Sequence, residues 1–158
     1  MDLLMSMNFG MRHWEYQSFL VLPTDPEKAA QLGSTITAKK WAKGELYLED
    51  AIDDDPDAVG RLVFPTPNGS IELAVKAVLK EDSESANFEA IGKVEDNTSS
   101  ANGACYALVG WASQDADGRV DKITGSIRAL RGANANPTKD LGGMPIGTVG
   151  LFTITNPK

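Results

Sequence analysis

Few residues in this sequence have the types and spacing that nucleophilic catalysis requires. His13 is the only histidine and Cys105 the only cysteine, so a Ser-His-Asp or Cys-His arrangement would have to use one of them. Cys105 lies in an apolar run typical of a strand, which favours an inert buried thiol over a nucleophile. Nothing near His13 in the sequence supports a catalytic role, and a histidine at a strand end is more often structural.

Motifs that hold metals or nucleotides are also missing from the sequence. It has no GxxxxGK[ST] phosphate loop and no GxGxxG opening a predicted helix, and a single cysteine leaves no CxxC pair. Carboxylates cluster between Glu49 and Asp57 without the spacing or the glycine of an EF-hand, so we interpret this run as a mobile, metal-free loop. Asp115 to Gly118 is better explained as a hairpin turn than as a calcium loop. We therefore expect no metal and no cofactor.

Aromatic residues are the groups best suited to forming a ligand cavity. All three tryptophans and all three tyrosines fall on predicted strands: Trp14, Tyr16, Trp41, Tyr47, Tyr106 and Trp111. Core packing would explain them, but small-molecule cavities are also apolar and aromatic, with a few placed polar groups. We expect Trp41, Tyr47 and Trp111 to shape such a cavity and to bind the substrate.

Two polar side chains are the candidate catalytic residues of that cavity. Tyr106 could donate a hydrogen bond or act as an acid, and Arg128 could polarise a carbonyl group. An inward arginine on a strand needs a partner, which Glu72, Glu89 or a ligand oxygen could supply. The alternative for Arg128 is an outward position, because the other face of its strand is more apolar. We expect Arg128 to face the interior and serve the ligand, with Glu72 and Glu89 at the substrate site.

The elements that must position these residues are mostly β-strands. Between Ala104 and Gly132, period-2 alternation on both sides of an Asp-Gly turn predicts two strands joined as a hairpin. A short helix is predicted from Asp25, as N-cap before a proline, to Leu32. The other strands are predicted at His13–Leu22, Thr35–Glu49, Gly60–Phe64, Ser70–Lys80, Asn87–Glu95 and Thr148–Thr155. Ser70–Lys80 also has a composition suited to a helix, but its strict alternation favours a strand.

About eight strands joined mostly by short turns predict an all-β fold, a single antiparallel up-and-down β-barrel with one short helix near the N-terminus. Closing the sheet removes exposed edge strands. A two-sheet sandwich is the main alternative. We expect residues 1–158 to form this one barrel domain, with residues 1–11 as a loose N-terminal arm.

The strand pattern from His13 to Thr155, with glycines inside strands at Gly92, Gly110, Gly125 and Gly150, resembles that of calycin-type barrels. These include lipocalins, avidins and allene oxide cyclase-like proteins. The sequence has no lipocalin Gly-x-Trp signature near its first strand and no matching avidin biotin-site motif. The resemblance therefore implies a cavity in the lumen or at one mouth of the barrel, and it assigns no site residue.

The overall charge and the terminal sequence narrow the range of partners. A protein with a net charge of −7 lacks the positive electrostatic field with which proteins attract nucleic acids or anionic membranes. The sequence also lacks a secretory leader pattern and an apolar run of about 18 residues. We therefore expect a cytoplasmic protein without nucleic-acid or membrane partners.

Because the sequence lacks metal, nucleotide and nucleophile motifs, the function must depend on the shape of a cavity and on a few polar side chains. We expect a small-molecule-binding barrel that acts as a cofactor-free cyclase or isomerase on an apolar or aromatic, natural-product-like substrate. One alternative is a non-catalytic carrier that uses the same cavity. The other is a packed structural barrel whose apolar outer face forms a homo-oligomer such as a homodimer. A cavity holding Tyr106 and Arg128 together would favour the first two functions.

Overall fold

The structure is a computed structural model that describes residues 13–23, 36–49, 58–67, 69–81, 86–114, 116, 120–141 and 143–156. Four features predicted from the sequence fall wholly or mostly elsewhere in the chain. These are the arm at residues 1–11, the helix from Asp25 to Leu32, the acidic run after Glu49, and the hairpin turn from Asp115 to Gly118. To that extent they lie outside the described residues and stay predictions.

Eight antiparallel strands form a closed barrel. Each strand pairs with the next one along the chain, and the last strand pairs with the first. The strands are β1 His13–Pro23, β2 Ile36–Glu49, β3 Ala58–Thr66, β4 Gly69–Glu81, β5 Ala86–Lys93, β6 Cys105–Gln114, β7 Val120–Arg131 and β8 Val149–Thr155. The predicted all-β, up-and-down barrel is thereby confirmed over the sandwich. The described residues include no helix that could span a membrane.

Strand β4 shows how the alternating sequence builds the barrel wall. Leu73 and Val75 are buried, whereas Glu72 and Lys76 are exposed. Successive side chains of a strand point to opposite faces of a sheet, so this pattern directs the apolar set inward. The strict alternation, rather than the helix-like composition, decided the structure of this segment.

Large apolar side chains fill the barrel from the end where β1 begins to its middle. Fully buried residues pack that end: Trp14, Leu48, Ile123 and Ile154. Three aromatic rings follow toward the middle. The ring centroid of Phe152 lies 6.1 Å from that of Tyr16 and 6.2 Å from that of Phe88. The bulkiest core side chains therefore lie between that end and the middle of the barrel, and the pocket described below lies toward the other end.

Two close approaches of backbone depend on glycine. Gly110 of β6 pairs directly with Gly125 of β7, and a Cβ atom at Gly110 would overlap the backbone of Thr124. A Cβ atom at Gly60 of β3 would likewise overlap the carbonyl oxygen of Tyr47 in β2. Missing side chains permit the tight bends that closing a small barrel requires.

The connection between β7 and β8, residues 132–148, is a long excursion that packs against one end of the barrel. The amide of Asn134 donates a hydrogen bond of 2.8 Å to the carbonyl oxygen of Asn102 in the β5–β6 connection. Asp140 of this excursion is buried. These contacts place the following residue, Leu141, at the edge of the barrel interior.

Candidate functional site

A pocket of about 360 Å³ lies at the end of the barrel where β1, β3, β5 and β7 finish. Inward-facing side chains form its apolar wall. Strands β3 and β4 each contribute two of them, at positions two residues apart, and β6 and β7 contribute one each. These residues are Leu62, Phe64, Ile71, Leu73, Leu108 and Ile127. The volume is at the lower end of the range, roughly 300–1,000 Å³, that small-molecule pockets occupy. The barrel can therefore hold a small apolar molecule at this end.

Tyr16 is a deeply buried polar side chain that lines this pocket. It is 1% exposed, and it packs edge-on against Phe64, with ring centroids 5.5 Å apart. Its hydroxyl group has no hydrogen-bond partner in the part of the chain that the structure describes. Burial raises the pKa of Tyr16 well above its ordinary value, and the nearby Tyr106 raises it further. The phenol therefore keeps its proton at neutral pH and can donate it in a hydrogen bond.

Ser18, also at the pocket, is engaged with the neighbouring strand. Its hydroxyl group donates to the carbonyl oxygen of Ala42 at 3.3 Å, and it accepts a hydrogen bond from the amide of Ala42 at 3.2 Å. Ser18 lies near enough to Tyr16 to lower the pKa of that phenol, although the two hydroxyl groups lack hydrogen-bond geometry. Ser18 thus joins β1 to β2 rather than satisfying Tyr16.

Tyr106 connects the pocket to the excursion between β7 and β8. Its hydroxyl oxygen accepts a hydrogen bond of 3.0 Å from the amide of Leu141, which leaves its own proton to be donated. Burial raises the pKa of Tyr106 to about 12, and the carboxyl group of Asp140 contributes to that rise. Tyr106 is therefore a second neutral phenol at the site.

Trp41 and Lys43 of β2 stand at the mouth of the pocket. Trp41 is partly buried and packs against the core, whereas Lys43 is exposed. Lys43 is the one charged side chain among the described residues that line the pocket. Trp41 and Tyr106, two of the predicted site residues, thus both line this pocket, and the other described residues of its lining are uncharged.

Two aromatic residues expected in the cavity lie on the outer face instead. Tyr47 stacks on His13 with ring centroids 4.8 Å apart, and the guanidinium carbon of Arg61 lies 4.9 Å from its ring centre. Trp111 is 64% exposed. Because Tyr106 points inward, the period of two directs Trp111 outward. The prediction that Tyr47 and Trp111 shape the cavity is wrong for this geometric reason.

The three predicted charged site residues are also outside the barrel. Arg128 is exposed, because the apolar positions on either side of it in β7 took the interior. The prediction that Arg128 faces the interior is therefore wrong. Glu72 is exposed and forms an ion pair of 3.3 Å with Arg61, and Glu89 is exposed on β5. The cavity holds Tyr106 without Arg128.

Sequence reasoning did not select Tyr16, Ser18 or Leu141 as site residues. A signal for the first two existed, since Trp14, Tyr16 and Ser18 share one face of β1 while Glu15 occupies the other. Leu141 reaches the pocket from an irregular excursion, where no periodicity predicts orientation. No group of three or more His, Cys, Asp or Glu side chains among the described residues could hold a metal ion.

The outer face of β6 and β8 carries a second apolar feature. Val109 and Leu151 both flank Ser126 of β7 and are 50% and 46% exposed. Trp111 lies two residues further along β6. Val109, Trp111 and Leu151 form one exposed apolar patch, and isolated apolar residues are common on surfaces whereas contiguous ones often mark contacts.

Comparisons with protein-family models, with curated proteins and with solved structures found no match for this chain.

Proposed function

We propose that this protein is a small-molecule-binding β-barrel that holds an apolar molecule in the pocket at the end where β1, β3, β5 and β7 finish. The observation that carries the proposal is the apolar pocket of about 360 Å³, which has the buried phenol of Tyr16 in its lining. A purely structural barrel has no need of such a space, since protein interiors normally pack to the density of organic crystals. The likeness of the eight-stranded closed barrel to calycin-type barrels supports the same function.

Cofactor-free isomerisation or cyclisation is the chemistry that we propose for this pocket. The apolar wall would hold a flexible substrate in a folded shape, which supplies proximity and orientation. The phenols of Tyr16 and Tyr106 would stabilise negative charge that develops on a substrate oxygen. A carrier would use the same pocket without converting its ligand, so the recovery of an unchanged ligand after prolonged incubation would identify a carrier.

Ligand binding can be tested with N-phenyl-1-naphthylamine, a neutral apolar dye whose fluorescence rises in apolar surroundings. Ile71 lines the pocket and is partly buried, so we expect Ile71→Trp to fill the space and weaken dye binding about tenfold or more, the equivalent of about 1.4 kcal/mol. The matched control is Ile91→Trp, because Ile91 lies on the outer face and is 45% exposed. That control and Arg128→Leu should bind the dye as tightly as the wild type.

Thermal unfolding should accompany this titration, so that lost binding is not mistaken for lost structure. A wild-type protein that binds no dye, or an Ile71→Trp variant that binds it with unchanged affinity, would contradict the proposal. The first result would mean that the pocket does not accept apolar molecules. The second would place the dye elsewhere on the protein.

A second candidate function is assembly into a homodimer, which the exposed patch of Val109, Trp111 and Leu151 favours. A second copy of the chain would cover the patch with the same residues around a two-fold axis. We expect sedimentation velocity to show a dimer that Trp111→Lys converts to a monomer, because the charge would be buried in the interface. A wild-type protein that stays monomeric at about 100 μM would exclude this function, as interfaces of standard size bind more tightly.

A further inference from the structure

The polar side chains of the pocket are hydrogen-bond donors. Tyr16 presents a phenolic proton that no described residue accepts. Tyr106 accepts a hydrogen bond from the amide of Leu141 and keeps its own proton to donate. Among the described residues that line the pocket, none has a carboxylate or amide side chain. A ligand that satisfies these groups must therefore bring an acceptor.

The unsatisfied hydroxyl group of Tyr16 indicates that this acceptor belongs to a ligand. A buried hydroxyl group without a partner is costly, because it loses its hydrogen bonds to water and gains none in return. Phenylalanine would pack the same space between Phe64 and Phe152 without that cost. A bound molecule that accepts a hydrogen bond from this hydroxyl group would explain why tyrosine, and not phenylalanine, occupies the position.

The charge distribution distinguishes among possible acceptors. A carboxylate beside Tyr16 would lose its hydration far from a compensating cation, because Lys43 is exposed at the mouth. Asp140, buried beside Tyr106, would also repel an anion. A ligand hydroxyl group would bring a proton of its own, and the two other hydroxyl groups at the pocket are already engaged, that of Ser18 with Ala42 and that of Tyr106 with the amide of Leu141. A neutral carbonyl oxygen, which has lone pairs and no proton, fits best.

We infer that the ligand of this pocket is a neutral, apolar molecule with a carbonyl oxygen, which accepts a hydrogen bond from the hydroxyl group of Tyr16. This inference rests on the proposed function, since it names the chemical class that the same pocket would bind. Tyr106 lies close enough to supply a second donor to the same end of the ligand. The apolar remainder of the molecule lies against the leucine and isoleucine side chains of β3, β4, β6 and β7.

Three probes of nearly equal shape test the inference on the full-length protein. 2-Acetylnaphthalene carries a neutral carbonyl group, 2-isopropenylnaphthalene replaces its oxygen with a methylene group, and 2-naphthoate carries a carboxylate. We expect Tyr16→Phe to weaken binding of the ketone about tenfold relative to binding of the alkene, the range expected for one lost hydrogen bond. The matched control is Tyr47→Phe on the outer face, which should change neither affinity.

Two further measurements separate a binding role of Tyr16 from a structural one. The melting temperature of ligand-free Tyr16→Phe should equal or exceed that of the wild type, because the variant removes an unsatisfied buried group. The infrared carbonyl stretch of bound 2-acetylnaphthalene should move to lower frequency in the wild type and return toward its apolar-solvent value in Tyr16→Phe. The wild-type spectrum alone is decisive should the variant fail to fold, since an unshifted stretch would overturn the inference.

The outcomes distinguish the inference from the function on which it rests. Failure of the wild type to bind both neutral naphthalenes would overturn both. Binding of both with the same affinity ratio in wild type and Tyr16→Phe would overturn the inference and leave the proposed function standing. Tighter binding of 2-naphthoate than of the ketone, lost in Lys43→Met, would replace the neutral carbonyl ligand with an anion held at the mouth.

Discussion

Phe152→Ala is expected to lower the free energy of unfolding by about 3–5 kcal/mol. The side chain of Phe152 is 1% exposed, and its ring packs between those of Tyr16 and Phe88 in the middle of the barrel. Its removal loses the transfer free energy of the ring and leaves a cavity that a closed barrel cannot readily collapse. Because small domains are stable by only about 5–15 kcal/mol, the variant should lie near the limit of folding.

Urea denaturation followed by circular dichroism would measure this loss as a lower midpoint with an unchanged slope. The matched control is Trp111→Ala, which removes a larger aromatic side chain that is 64% exposed and should cost no more than about 1 kcal/mol. Similar losses in the two variants would contradict the assignment of inner and outer faces. Measurement at low protein concentration keeps self-association through the outer patch from obscuring the control.

The same assignment of faces explains how much of the fold could be predicted from the sequence. Alternation in β4 and the Asp-Gly turn after β6 are local signals, and they identified strands and hairpin connections. Hairpins joining successive strands leave a meander, and eight strands suffice to close it. Closure itself brings β1 against β8, with Tyr16 opposite Ile154, and that long-range pairing was inferred from the strand count rather than from any local pattern.

The site was harder to predict because alternation separates two faces of a strand without naming the inner one. In β6, Tyr106 and Leu108 share one face while Val109 and Trp111 share the other, and both faces are apolar. Pairing with the flanking strands turned Tyr106 inward and therefore Trp111 outward. For Arg128 the apolar face of β7 was already evident in the sequence. The assumption of a polar cavity wall led to the wrong orientation.

Tyr16 was overlooked because its chemistry depends on the contacts around it. In the sequence it is one of several aromatic residues on strands, and core packing explains all of them equally well. No described residue accepts a hydrogen bond from its hydroxyl group, because Ser18 is engaged with Ala42. The contribution of Leu141 depends on the path of an irregular excursion. Neither feature has a periodic signature.

Gly60→Ala is expected to destabilise the protein by about 3 kcal/mol or more, at the upper end of the cost of overpacking. Gly60 of β3 pairs with Leu48 of β2 and with Val75 of β4, so backbone surrounds it on both sides. A Cβ atom there would overlap the carbonyl oxygen of Tyr47 and lie 2.9 Å from the Cα atom of Leu48. Backbone atoms in a closed barrel cannot rotate away as a side chain can, so β2 and β3 would have to separate.

Gly92→Ala is the matched control, because Gly92 is also a glycine within a strand and is itself buried. Its Cβ atom would meet the Cδ2 atom of Leu73 at 3.1 Å, and that flexible side chain can move by a few tenths of an ångström. The control should therefore stay within about 1 kcal/mol of the wild type. Denaturant unfolding of the two variants measures the contrast, with Gly110→Ala as a second test, since its Cβ atom would overlap the carbonyl oxygen of Thr124. Equal stability of Gly60→Ala and Gly92→Ala would show that β2 and β3 do not approach as closely as described, because only the former places its new atom against backbone.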